Sequence, residues 1–101
     1  MGNALTIGLK SKGTMAEPKH FAFNHQEANR SGMSTFMTEQ AARENELRGF
    51  MMCMSSNNAQ GVMTAFNRAG TSFVGAYKNL LEGIARNEWC YQGWFVTDMI
   101  N

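Results

Sequence analysis

The sequence predicts an α/β fold in which about three parallel strands alternate with helices. Segments with the apolar spacing of a helix alternate with short extended apolar runs, an order typical of parallel strands joined by right-handed helical crossovers. Val62–Phe66 and Trp94–Val96 are apolar almost throughout, which predicts strands covered on both faces. A length of 101 residues is that of one small domain.

The N-terminal part predicts a helix, an extended segment and a loop. The first residues have the composition of a short helix, and Gly13 stands where a C-cap glycine is expected. Thr14–Phe23 is predicted to be extended, because Pro18 is unfavourable inside a helix. Asn24–Met33 is polar and is predicted to be a long loop.

The middle of the chain predicts a second helix and a second strand. Thr38 can cap a helix N-terminus, and Glu39 in the first turn complements the helix dipole. The helix is expected to continue towards Cys53 and to end at Ser55–Asn58. Val62–Phe66 predicts a strand, because its residues include β-branched and aromatic side chains.

The C-terminal part predicts a loop, a helix and a third strand. Asn67–Gly75 has the glycine and serine content of a loop, and Trp94–Thr97 is extended and apolar. Between them lies the best-patterned amphipathic helix of the chain. Its apolar stripe is Tyr77, Leu80, Leu81, Ile84 and Ala85, with Lys78, Glu82 and Arg86 on the other side.

Composition and charge exclude several classes of protein. A formal net charge of +1, with 9 Lys and Arg against 8 Asp and Glu, provides no electrostatic footprint for nucleic acid. The apolar stretches are far shorter than the roughly 20 residues that span a bilayer, and no signal-peptide pattern is visible. We therefore expect no nucleic-acid or membrane partner and, by default, a cytoplasmic location.

The cysteines and histidines predict no metal site and no cofactor. Cys53 and Cys90 are too far apart for a Cys-x-x-Cys motif, and each lies in an apolar stretch, so both are expected to be structural. His20 and His25 lack the spacing of paired metal ligands, and His25 is expected to be solvated.

Polar side chains collect at the carboxyl ends of the predicted strands. They are Lys19, His20 and Asn24, then Asn67 and Arg68, and finally Asp98, which is the only aspartate. In parallel α/β proteins this edge is where sites are built, because the loops converge there. Taken alone, one Asp after a strand is more often a turn residue or a helix cap.

Several segments match a known family in order and spacing, from about Lys10 to the end of the chain. They are Lys19–Asn24 with Gln26, Glu27, Asn29 and Arg30, then Thr38–Ala41, Gly61–Arg68, and Glu88 through Gly93 to Asp98. They resemble, respectively, the Lys-His-Phe segment and Gln-Glu-x-Asn-Arg loop, a helix start, the next strand and the nucleophile strand of glycoside hydrolase family 3, the β-glucosidase type.

The resemblance implies a role for each polar residue of the motif. Asp98 matches the catalytic nucleophile, which attacks the anomeric carbon and forms a covalent glycosyl intermediate. Lys19 and His20 match a pair that hydrogen-bonds sugar hydroxyls, and Arg30 matches a sugar-site arginine. Positive charge from Lys19 and Arg30 would favour the ionised form of Asp98 that a nucleophile needs.

The resemblance also implies an apolar lining for the sugar subsite. Met63 and Phe66 match side chains that line it, and many family members have Tyr at the position of Phe66. Met99 stands where many members carry a Trp that packs on the sugar. By spacing alone, Met63 and Phe66 fit a core equally well, and Arg30 can simply pair with Glu27.

Two hypotheses about function follow. The resemblance implies that residues 1–101 are one fragment of a TIM-type (β/α) barrel, a fold of about 250 residues. The fragment would belong to a retaining hydrolase of terminal β-D-glucosyl residues, and no Glu here matches the family's acid/base. The alternative is a stand-alone α/β module that binds sugar or self-associates without turnover. A sheet this small also predicts open edges, closed by the missing barrel or by another copy.

Overall fold

The computed structural model of the chain describes residues 1–99 as mixed α/β structure, so the last two residues of the predicted 1–101 unit lie outside it. The helices are α1 (Gly2–Ser11), α2 (Glu39–Ala41), α3 (Arg48–Met54) and α4 (Asn79–Glu88). The strands are β1 (Ser34–Thr35), β2 (Gly61–Thr64), β3 (Arg68–Ala69), β4 (Ser72–Phe73) and β5 (Trp94–Thr97). The stretch Ala42–Glu46 and helix α4 are π-helical, and short 3₁₀ turns lie at Arg30–Gly32 and Val74–Ala76.

A parallel pair of strands, β2 and β5, forms the frame of the candidate site. Their register runs from Gly61 opposite Trp94 to Thr64 opposite Thr97. The predicted extended segment lies along the other edge of β2, where the N–H of Phe21 donates to the Met63 carbonyl at 2.8 Å. The parallel arrangement is therefore confirmed, although the first segment contributes only an isolated bridge. Within residues 1–99 the strands do not close a barrel.

A second sheet has two of its three strands in a segment that the sequence predicts as a loop. Strand β1 pairs parallel with β3, and β3 pairs antiparallel with β4. The prediction that Asn67–Gly75 is loop is wrong for β3 and β4. Each strand is two residues long, too short to show alternation, and Gly70 at φ +59° allows the tight turn between them.

The core lies between the parallel strands and the helices, with Phe21 at its centre. The Phe21 ring meets Phe50 edge-on at a centroid distance of 5.1 Å and contacts Trp89 and Phe95 at 6.1 and 6.3 Å. Leu80 and Ala85 of α4 are buried, as the apolar stripe predicts. These contacts fix the segment that precedes and follows Phe21, which includes His20.

The helix caps confirm the predicted boundaries in part. Thr38 accepts a hydrogen bond from the Ala41 N–H at 3.2 Å, which confirms the predicted cap. Gly13 has φ +73°, the left-handed conformation of the predicted helix stop. The helix predicted to start after Thr38 is interrupted by the π-helical stretch Ala42–Glu46 before it ends at Met54. The sequence pattern does not reveal this change.

Three predictions about burial are wrong. Trp94 on β5 is 43% exposed, so β5 is not covered on both faces within residues 1–99. Cys90 is exposed, at a left-handed turn with φ +54°, whereas Cys53 is buried. Arg86 leaves the polar face of α4, stacks over the Tyr91 and Phe95 rings, and donates to the Tyr91 and Gly93 carbonyls.

No helix in residues 1–99 is long and apolar enough to cross a membrane.

Arg86 is expected to stabilise the turn between α4 and β5. Arg86→Ala leaves two carbonyls without a donor and removes the cover from two aromatic rings, so it should lower the free energy of unfolding by about 1–3 kcal/mol. Urea denaturation followed by tryptophan fluorescence measures the change. Arg48→Ala, at an exposed position of α3, is the matched control and should change stability little. Equal effects of the two variants would contradict this role.

The ion pair between Arg43 and Glu88 joins the π-helical stretch to the end of α4 and should make stability depend on pH. Two hydrogen bonds from Arg43, at 2.7 and 3.0 Å, lower the pKa of Glu88. A carboxyl with a lowered folded-state pKa stabilises the fold above its unfolded-state pKa, and this contribution is lost as the pH falls through the folded-state pKa.

We therefore expect Glu88→Gln to lower the melting temperature at neutral pH, with a deficit that shrinks below about pH 4, where glutamate becomes protonated. Melting curves from pH 7 downwards measure this. Glu82→Gln, at an exposed position on the same helix, is the control. A deficit that stays constant with pH would rule the ion pair out as its source.

Candidate active site

Three predicted site residues meet where the parallel strands end. Asp98 directly follows β5, and His20 precedes the residue that bridges to β2. The Nε2 atom of His20 lies 3.3 Å from Oδ2 of Asp98, and Nη1 of Arg30 lies 3.1 Å from the same oxygen. Because parallel strands present their carboxyl ends at one edge, residues 78 positions apart in sequence become neighbours here.

Arg30 reaches this edge from a short turn rather than from a strand. It opens the 3₁₀ turn Arg30–Gly32, and Asn29 before it is left-handed at φ +56°. The guanidinium lies over the Phe66 ring, 4.9 Å from its centroid, in cation–π geometry. Its Nη1 also lies 3.3 Å from Oε2 of Glu27. Arg30 therefore pairs with Glu27 and with Asp98 at the same time.

The two oxygens of the Asp98 carboxylate have different surroundings. Oδ1 accepts a hydrogen bond from the Met99 N–H at 2.8 Å. Oδ2 is buried, and no donor among residues 1–99 is aligned for a hydrogen bond to it, although the Arg30 guanidinium and the His20 imidazole lie 3.1 and 3.3 Å from it. A carboxylate oxygen is one of the groups that attack an electrophilic carbon in covalent catalysis.

Lys19 is not part of this ion-pair cluster. Its side chain is exposed. The residue lines a groove together with residues of α1 and with Phe50 and Cys53 of α3. Among the described residues no ion pair joins Lys19 to Asp98. The expected contribution of Lys19 to the charge around Asp98 is therefore absent from the observed arrangement.

Met63 and Phe66 lie beside the cluster. Met63 is opposite Val96 in the register, and side chains alternate along a strand, so Met63 shares the sheet face of Val96 and Asp98. Phe66 is half-buried under the Arg30 guanidinium. Both positions are compatible with lining a ligand held at Asp98.

A buried asparagine supports the loop that leads to Arg30. The Nδ2 of Asn67 donates to the Phe23 carbonyl at 2.9 Å, and the Thr35 hydroxyl donates to the same carbonyl at 3.1 Å. Phe23 has φ +70°, so the chain turns sharply at this point. The sequence places Asn67 at this edge, but the donation to Phe23 depends on a tertiary contact that no local pattern reveals.

Among residues 1–99 no group of three His, Cys, Asp or Glu side chains is placed to hold a metal ion.

The contacts of Asp98 can be read from a single signal, because it is the only aspartate of the chain. Protein made by cell-free synthesis with carbon-13 in the aspartate carboxyl should give one carboxyl resonance. Arg30→Gln and His20→Gln each remove a charged or polar neighbour and should shift that resonance. Lys19→Gln should leave it in place, and a shift as large as that of Arg30→Gln would contradict the observed position of Lys19.

Comparison with known families and proteins identifies relatives of this chain. Residues 1–101 match the N-terminal domain of glycosyl hydrolase family 3. Probable β-glucosidase K of Aspergillus fumigatus is 33% identical over 91 residues, which is 90% of this chain and 12% of that protein. Probable β-glucosidase I of Aspergillus niger is 37% identical over 91 residues, 90% of this chain and 11% of that protein.

Solved structures have the same fold over nearly the whole chain. β-Glucosidase 3B from Thermotoga neapolitana, in complex with α-D-glucose, gives a TM-score of 0.90 at 32% identity over 95% of this chain and 13% of its own. A β-glucosidase from Paenibacillus barengoltzii gives 0.92 at 39% identity over 96% and 10%. The chain thus spans 10–13% of the length of these four relatives. It belongs to glycosyl hydrolase family 3, within the N-terminal domain of that family.

Proposed function

We propose that this chain is part of a retaining β-glucosidase-like hydrolase in which Asp98 is the nucleophile. One observation carries the proposal: the Asp98 carboxylate, with a buried Oδ2 free of hydrogen bonds, lies beside His20 and Arg30 at the carboxyl edge of parallel strands. In this assignment the fragment is part of a (β/α) barrel, with β2 and β5 as two of its strands. The family relationship supports the assignment.

The proposed reaction uses the carboxylate of Asp98. One of its oxygens attacks the anomeric carbon, a bond forms to that carbon, and the bond to the leaving glycosidic oxygen breaks. The departing oxygen takes a proton from a general acid that is not among the residues assigned in this chain. Water then attacks the anomeric carbon and gives a proton to the same outside group, now acting as base, while the bond to the Asp98 oxygen breaks. The carboxylate is regenerated, and the sugar leaves with net retention. Protonation of the leaving group contributes about 10²–10⁴-fold, so substrates with poor leaving groups should react slowly without that acid.

The neighbours of Asp98 are assigned to sugar binding. His20 and Arg30 can donate hydrogen bonds to hydroxyls of a pyranose ring. Lys19, for which the resemblance implies the same task, lines the groove beside α1 and α3 and is left out of this assignment. Met63 and Phe66 line the subsite. The Thermotoga neapolitana relative was solved with α-D-glucose, which supports a glucosyl group as the ligand class.

A fluorinated glucoside with a good leaving group tests the proposal without needing the acid. Incubation with 2,4-dinitrophenyl 2-deoxy-2-fluoro-β-D-glucoside should release dinitrophenolate and add one fluoroglucosyl group. Peptide mapping should place that group on Asp98. Asp98→Asn is the matched control, since it keeps the shape of the side chain and removes the nucleophile, and it should stay unlabelled.

The same experiment separates the two hypotheses about function. If glucose binds but no label forms, the chain is the sugar-binding module without turnover. Labelling of a residue other than Asp98 would contradict the assigned nucleophile. Mass measurement in solution decides whether another copy closes the open strand edges.

A further inference from the structure

The loop that leads to Arg30 has few attachments to the rest of the fold. Residues 25–29 are exposed, and the polar contacts of this loop are mostly internal: Asn24 with Glu27, and Gln26 with the Ala28 carbonyl. The backbone N–H of Arg30 donates to the Glu27 carbonyl within the same region. Such a loop cannot hold the next residue in place by itself.

One contact ties the loop to another element. Nε2 of His25 lies 3.0 Å from Oε2 of Glu46, with the two side chains 45% and 30% exposed. Among the hydrogen bonds and ion pairs of residues 1–99, it alone joins residues 24–29 to a part of the chain outside 24–32. His25 is exposed, as expected, but it also contacts Glu46, which the sequence does not predict.

The partner of His25 is rigidly placed. Glu46 is the last residue of the π-helical stretch Ala42–Glu46, and Leu47 after it is 2% exposed. The Leu47 N–H donates to the Ala42 carbonyl at 2.9 Å, which closes the wide turn. Single π-helical turns within helices occur frequently at functional sites. Glu46 is thus an anchor at the end of a π-helical stretch that is joined to the packed helix α3, opposite a loop with few attachments of its own.

We propose that His25 is a positioning residue, which through Glu46 fixes the loop so that Arg30 is held over Phe66 and against Asp98. This inference deepens the proposed function and rests on it for the catalytic consequence. His25 touches neither the sugar nor Asp98 in this assignment. It acts through the six-residue path from His25 to Arg30, whose end points are both tethered to other parts of the chain, at Glu46 and at Asp98.

The first readout is the rate of labelling of Asp98 by the fluoroglucoside. His25→Ala and Glu46→Ala should each slow it about fivefold, the factor that corresponds to ~1 kcal/mol for a partly exposed pair. The double variant should be no slower than either single variant, because each substitution removes the same contact between His25 and Glu46. His25→Gln retains an N–H donor and should restore most of the rate. Gln26→Ala, which loses only a contact inside the loop, is the control and should label normally.

The second readout is the Nε–H nuclear magnetic resonance signal of Arg30, assigned by its loss in Arg30→Lys. His25→Ala and Glu46→Ala should broaden or shift it, while His25→Gln and Gln26→Ala should preserve it. If the wild type is not labelled, the proposed function fails, and this signal alone decides the role of His25. An Arg30 signal that is the same in wild type and His25→Ala would overturn the inference.

Discussion

The burial of the Asp98 carboxylate beside the side chains of His20 and Arg30 depends on the register of parallel backbone pairing. β2 pairs with β5 from Gly61 opposite Trp94 onwards, and the segment before β2 is bonded to its other edge through Phe21. A slip of one residue would turn Asp98 to the other face of the sheet. Removing Arg30 would leave the largely buried carboxylate without its guanidinium partner, which is destabilising. The site is therefore a consequence of the sheet, and the aromatic core around Phe21 holds the sheet in place.

The elements with long, regular patterns could be predicted from the sequence. The apolar stripe of α4 and the cap at Thr38 follow from local physics, because spacing and side-chain type alone decide them. The short strands β3 and β4 could not be predicted, since two residues cannot show a period. Arg86 was expected in solvent because a helical wheel describes one helix alone. Its stacking on Tyr91 arises from the turn that follows the helix.

The location of the site could be predicted from the sequence, but several of its side-chain contacts could not. Parallel order puts His20 and Asp98 at one edge, and the family motif adds Arg30, so the cluster follows from topology and resemblance. The direction of the Lys19 side chain does not follow, because it depends on the backbone conformation at a single residue. The His25–Glu46 contact likewise joins a loop to a π-helical turn, and neither feature has a local sequence signature.

The central claim is that the carboxyl carbon of Asp98 lies beside the Arg30 guanidinium, with Nη1 and Oδ2 3.1 Å apart. The single aspartate allows this distance to be measured by solid-state nuclear magnetic resonance, with carbon-13 in its carboxyl and nitrogen-15 in the arginine guanidinium groups. Carbon–nitrogen dipolar recoupling should show strong dephasing of the Asp98 signal, which Arg30→Lys abolishes. A signal without dephasing in the wild type would place the guanidinium elsewhere and contradict the account.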